Sequence, residues 1–102
     1  MYEIEYLPIA KQDMVDIAIY ISQELCNPEA AEVLALEMIE AGARLAAFPY
    51  INLIHFTARP LKREYRKQMI KNYIMFYWID EYAKKAVIAR VIYARRDYGR
   101  LL

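Results

Sequence analysis

Little of what usually advertises a function is present in this chain of 102 residues. It has one cysteine, Cys26, so no internal disulfide can form and the fold must rest on its own core. Its one histidine, His55, excludes catalysis by a histidine pair, and beside Phe56 in an irregular stretch it reads as structural. The glycines, Gly42 and Gly99, are too few and too far apart for a glycine-rich phosphate loop. No apolar run approaches the roughly 18 residues of a membrane span. Glu3 and Glu5 break the apolar stretch where a secretion signal would lie, so we expect a cytoplasmic protein without membrane contact. The acids of the second half (Glu64, Asp80, Glu81 and Asp97) do not cluster as metal ligands would, and no metal or cofactor is expected. Asp80 and Glu81 read as a solvated turn, and Cys26, with no base nearby, as a buried spacer between two helices.

What is present is apolar residues and an uneven distribution of charge. Hydrophobic residues make up 59% of the chain, which excludes disorder, and the length suits one domain spanning residues 1–102. The net charge of +1 hides an asymmetry. Residues 1–50 carry nine acids and two bases, and residues 51–102 carry four acids and twelve bases. Two readings follow: acidic helices paired with a basic sheet inside the fold, or a basic half that faces an anionic partner.

The stretch YEIEYL alternates, with Tyr2, Ile4 and Tyr6 on one face and Glu3 and Glu5 on the other, as in a half-buried strand ended by Pro8. Met14, Ile17, Ala18, Ile21 and Leu25 follow at helical spacing, with Asp13 and Asp16 read as complements to the helix dipole. Asn27-Pro28-Glu29 is a helix start, with a capping side chain, a proline fit for the first turn and an acid near the positive end. The second helix buries Ala31, Leu34, Met38, Ala41 and Leu45 and ends at Phe48-Pro49. Val15, Ile19, Val33 and Leu36 widen the apolar surface, so the hairpin should pack on itself and on a sheet. After an irregular stretch from Pro49 to Pro60, LKREYRKQMI, NYIMFYWID and AVIARVIYA read as three strands joined by turns at Lys71-Asn72 and Glu81 to Lys85. The expected fold class is α+β: an N-terminal strand, an antiparallel two-helix hairpin and a three-stranded antiparallel meander, in one sheet with the hairpin against one face.

Candidate chemistry lies with arginine, lysine and tyrosine. Arg63, Arg66, Lys67, Lys71, Arg90, Arg95, Arg96 and Arg100 fall on or beside the strands, interleaved with Tyr65, Tyr73, Tyr77, Tyr93 and Tyr98. Arginine forks fit phosphate or carboxylate. A metal-free nuclease could use such arginines to offset transition-state charge, with a lysine or tyrosine to move protons. Such a tyrosine needs its pKa brought down from about 10. For Tyr65, Tyr73 and Tyr77 packing is the favoured reading. Met69, Met75 and Trp78 add to an apolar excess that points equally to a protein partner.

In order and spacing, YEIEYLPIAKQDMVDIAIYI, the LCNPEAAEVL junction, LAAFP, EYRKQMIKNYIMFYWID and VIARVIYARRD resemble the RelE/ParE superfamily of bacterial toxins, most closely its ParE-like members, also called plasmid stabilisation proteins. The resemblance implies a toxin of a type II toxin–antitoxin module, bound and neutralised by a cognate antitoxin as a hetero-oligomer. ParE-like members block DNA gyrase; RelE-like members cut mRNA on the ribosome. For gyrase the implied target-binding residues are Arg90, Arg95, Arg96 and Arg100. For the nuclease alternative the implied catalytic residues are Arg66, Arg95, Arg96 and Tyr98. Gln68 stands where that pattern has a second lysine and Ile74 where it has an arginine, so two positive groups are missing. A second alternative is an inactive relative that keeps only antitoxin binding. The arginine-rich end would then be a functional surface, or Arg95 and Arg96 would pair with the acidic hairpin.

Overall fold

The computed structural model describes residues 1–56, 63–96 and 101–102. Strand β1 (Glu3–Tyr6) turns Ile4 and Tyr6 inward and leaves Glu3 and Glu5 outward. Pro8 opens helix α1 (Pro8–Ile19), which continues into a π-helical turn over Tyr20–Glu24. Helix α2 (Pro28–Ala47) begins where the Asn27 side chain accepts the Ala30 N–H at 3.1 Å, with Glu29 in its first turn. Strands β2 (Arg66–Ile70), β3 (Tyr73–Asp80) and β4 (Lys85–Tyr93) form the meander, and the sheet order is β1-β4-β3-β2. The first strand therefore lies parallel to the last, from Glu3 opposite Lys85 to Tyr6 opposite Ile88. This is the expected α+β arrangement, with the hairpin on one face of a single sheet.

The register breaks once, between Phe76 and Tyr77, where β4 holds an extra residue. A one-residue slip exchanges the two faces of a strand. Accordingly Ala86 and Ile88 join the hairpin-side core, and past the bulge it is Val91 that does so. That core also takes Ala31, Leu34, Met38, Ala41 and Leu45, the whole stripe read from α2. A second core lies on the opposite face, where Tyr65, Ile74, Phe76, Ala89 and Ile92 are covered by Leu7, Trp78, Ala94, Leu101 and Leu102. Burial on both faces explains why β3 and β4 read as nearly unbroken apolar runs. It also absorbs much of the apolar excess: Met75 is fully buried and Trp78 half-buried, while Met69 stays exposed.

Three local expectations are corrected. Cys26 is exposed, because the chain reverses there with a left-handed backbone (φ 51°) that turns the side chain outward. Asp13 and Asp16 lie beyond the first turn of α1, which holds no acid, so the dipole is not what places them. Val15, Ile19, Val33 and Leu36 are not buried between hairpin and sheet; they stay about half exposed, and Leu25 is likewise exposed.

Gly42 of α2 lies against the Tyr6 side chain of β1. A Cβ there would collide with the Tyr6 hydroxyl and lie 3.3 Å from its ring carbon Cζ. Replacing a helical glycine by alanine ordinarily stabilises by about 1 kcal/mol. Here the displacement of a packed tyrosine outweighs that gain. Urea unfolding should show G42A destabilised by about 1–2 kcal/mol, with much of the loss recovered in Y6F/G42A.

Candidate functional surface

Arg90 interrupts the apolar run of β4, and a charge in that position needs a partner. Because β1 ends at Tyr6, opposite Ile88, the edge of β4 beyond Ile88 is open to α1. Asp13 fills it. Arg90 donates from Nε to Asp13 Oδ2 at 2.8 Å and from Nη2 to Oδ1 at 2.9 Å, and the Val91 N–H donates to Oδ2 at 3.0 Å. The side chains are only 15% and 14% exposed. The remaining nitrogen, Nη1, donates to the Leu101 carbonyl at 3.3 Å. One arginine thus ties helix, strand edge and chain end together. It was expected to grip a target; the structure turns it inward and gives it an internal partner.

Arg95 and Arg96 follow β4 in a turn, where the Arg96 N–H donates to the Tyr93 carbonyl. Both side chains are exposed, and among the described residues neither has an ion pair. The pairs that do join the acidic and basic halves are Asp13–Arg90, Glu37–Lys71 and Glu5–Lys85. The internal-pairing reading therefore holds for those three and not for Arg95 and Arg96. Arg96 stands at the rim of a cleft of about 1140 Å³ between the hairpin tip and the sheet, lined by Tyr20, Ile21, Leu25, Val33, Tyr73 and Tyr93 among others.

Arg66 lies elsewhere. It pairs in register with Tyr77, next to Ile88, while Arg95 lies past Tyr93. The stretch from Ile88 to Tyr93 alone advances the strand by roughly 17 Å. Arg66 instead donates from Nη1 to the Asn52 carbonyl at 2.6 Å, and its guanidinium lies 5.0 Å from the centre of the Tyr50 ring. Among the described residues, Arg66 is therefore not brought together with Arg95 and Arg96. Tyr98 and Arg100 lie outside the described residues. Burial raises the pKa of Tyr6, Tyr73 and Tyr77, and hydrogen bonding to Glu81 raises those of Tyr2 and Tyr50, the wrong direction for proton transfer. His55 sits edge-on to Phe76 at 5.3 Å with its pKa lowered by burial, in keeping with a structural role. Among the described residues no group of three His, Cys, Asp or Glu side chains could hold a metal, and no helix is long and apolar enough to cross a membrane.

The turn after β3 holds a polar cluster that the sequence did not announce. Glu81 accepts from Tyr2 Oη (2.6 Å), Tyr50 Oη (2.8 Å) and Lys84 Nζ (2.6 Å). These donors, Lys84 foremost, hold its pKa down at about 2. The cluster ties the N-terminus and the loop after α2 to the β3–β4 turn. Tyr2 and Tyr50 lie far from Glu81 in the chain, and no local pattern joins them.

Known structures share this arrangement of edge strand, hairpin and meander. The chain is similar to a protein of the chromosomal ParDE toxin–antitoxin system of P. aeruginosa, with TM-score 0.74 and 15% identity over 93% of this chain and 98% of that one. It is also similar to a chain of the RelBE2 toxin–antitoxin complex of Mycobacterium tuberculosis (TM-score 0.59, 20% identity, covering 90% and 96%). A chain of the intact E. coli RelBE complex matches with TM-score 0.54 and 14% identity, covering 94% and 100%. No curated protein sequence matches. The family model described as ParE toxin of type II toxin-antitoxin system, parDE, matches residues 4–98. The chain belongs to that family, and its general role is that of the toxin in a type II module.

Two measurements follow from these geometries. D13A leaves the Arg90 charge and the Val91 N–H without their partner at a nearly covered site, so chemical unfolding should show a loss of about 2–4 kcal/mol. The D13A/R90M pair, which removes the stranded charge, should recover a large part of it. Glu81 titrates lower in the folded chain than its ordinary value of 4.5. Its contribution is therefore complete above that value and is lost as pH falls toward about 2. Melting temperatures followed from pH 6 down to about 2 should fall less steeply for E81Q than for the parent, by a small margin because solvent and salt screen an exposed cluster.

Proposed function

We propose that this toxin arrests growth by binding DNA gyrase, not by cutting RNA, and that a cognate antitoxin holds it inactive. The observation that carries the reading is the separation of Arg66 from the exposed pair Arg95 and Arg96. A phosphodiester-cleaving site needs its cations and its proton carrier around one phosphate. An interface needs only accessible charge, and the exposed Arg95 and Arg96, which have no ion pair among the described residues, provide it, with Arg96 at the rim of a large cleft. The missing basic groups at Gln68 and Ile74 support the same choice. The target-binding residues are then Arg95, Arg96 and, by the family resemblance, Arg100; Arg90, hydrogen-bonded to Asp13, serves as a positioning residue. The antitoxin follows from family membership, and the similar P. aeruginosa, M. tuberculosis and E. coli chains come from toxin–antitoxin systems or complexes.

The test is induction without antitoxin, with pulse labelling by thymidine and leucine over the first minutes. Thymidine incorporation should fall first, and purified protein should inhibit supercoiling by gyrase. R95A/R96A should lose arrest while retaining antitoxin binding. An earlier fall in leucine incorporation would favour the ribosome and mRNA as target, with Arg66, Arg95, Arg96 and Tyr98 as nuclease candidates. No fall in either would indicate an inactive relative.

A further inference from the structure

At the other end of the sheet a smaller pocket, of about 250 Å³, opens between the loop after α2 and the start of β2, lined by Tyr50, Arg63, Glu64, Arg66, Trp78 and Ile79. Its two arginines are held in place by aromatic rings. The Arg63 guanidinium stacks 4.1 Å from the centre of the Trp78 ring, and that of Arg66 lies 5.0 Å from the Tyr50 ring. The rings are fixed in turn: Trp78 meets Tyr65 edge-on at 6.0 Å, and Tyr50 meets Tyr2 at 6.4 Å and donates to Glu81. Stacking takes the faces of the guanidinium groups and leaves the in-plane N–H donors at their edges. Among the described residues neither arginine pairs with a carboxylate.

We propose that this pocket receives a single carboxylate side chain, an Asp or Glu, presented by a protein partner. Three features select that ligand. The volume lies below the roughly 300 Å³ at which pockets for whole small molecules begin. Two arginines and Glu64 leave the lining at one net positive charge, which matches a carboxylate and is poorly matched to a polyanion. The Trp78 and Tyr50 rings each already carry a guanidinium group and meet an edge-on neighbour, which leaves less ring face for a stacked nucleobase. The pocket is remote from Arg95 and Arg96, and the proposal does not depend on gyrase being the target.

Trp78 is the one tryptophan in the chain, so its fluorescence reports on this pocket directly. The folded toxin is titrated with N-acetyl-glutamate amide, with neutral N-acetyl-glutamine amide, with inorganic phosphate and with a short oligouridylate. We expect a saturable change in Trp78 emission with the glutamate probe alone. In R63Q, whose arginine among the described residues is held by stacking on Trp78, the apparent affinity should fall by about fivefold or more, and R63K, which keeps the charge without the fork, should restore only part of it. R95A/R96A should match the parent. Equal responses to the glutamate and glutamine probes, or none to either, overturn the proposal. A response to oligouridylate at lower concentration than to glutamate, abolished by R63Q, overturns it in favour of nucleic acid.

The source of the carboxylate is read in cells. If R63Q weakens co-purification with co-expressed antitoxin, the antitoxin supplies it. If R63Q weakens growth arrest with antitoxin binding kept, the target supplies it. If neither changes while the melting temperature stays at the parent value, the pocket has no role in partner binding and the proposal fails.

Discussion

The ion pair of Asp13 with Arg90 is the constraint around which the rest of the molecule is arranged. A four-residue β1 covers the edge of β4 only as far as Ile88, and the rest of that edge needs another partner. A carboxylate from α1 provides it, accepting the Val91 N–H and holding a guanidinium that reaches on to the Leu101 carbonyl. Through this one contact the position of α1, and with it the hairpin, is fixed against the sheet, and the end of the chain is drawn over the second core. A partly buried ion pair of this kind adds modestly to net stability, because desolvation offsets much of its attraction. Its value lies in geometry: few other placements of α1 would satisfy the charge.

The other arginines fall into two kinds of surroundings. Arg63 and Arg66 are oriented by aromatic faces and, for Arg66, by a backbone carbonyl. Arg95 and Arg96 sit in a turn without ion pairs among the described residues. Oriented guanidinium groups lose less freedom when they bind and can discriminate between anions by shape, whereas exposed unpaired ones mainly steer long-range encounter. The molecule therefore carries two cationic regions of different physical character at opposite ends of its sheet.

Much of the architecture is legible in the residues because local rules act there without competition. The alternation of β1, the Asn27 cap and the Ala31-to-Leu45 stripe each depend on neighbours a few positions away, and each is realised. Features set by distant contacts are not legible in the same way. The charge of Arg90 announces a partner without saying that Asp13, across the chain, is the one. The bulge that exchanges the faces of β4 leaves its apolar run looking uniform, since both faces are buried. The π-helical turn and the left-handed Cys26 belong to the geometry of reversing the hairpin in a few residues, for which the side chains offer no sign. At the candidate surface, residue type pointed to arginine, but pairing and separation decide what each arginine can do, and both are properties of the folded sheet.

The parallel contact of β1 with β4 has a bearing on synthesis. Glu3 finds its neighbour only when Lys85 exists, so the first strand made has nowhere to go until nearly the last has emerged. Contacts this distant in sequence are slow to form, because a long loop must close before they repay its entropy. A growing chain on the ribosome can build the hairpin but not the completed sheet, and the Arg95–Arg96 surface is positioned only by that sheet. Closure of the sheet is thus delayed by its own topology: β1 has no strand partner, and Arg95 and Arg96 have no completed sheet to hold them, until β4 has been made.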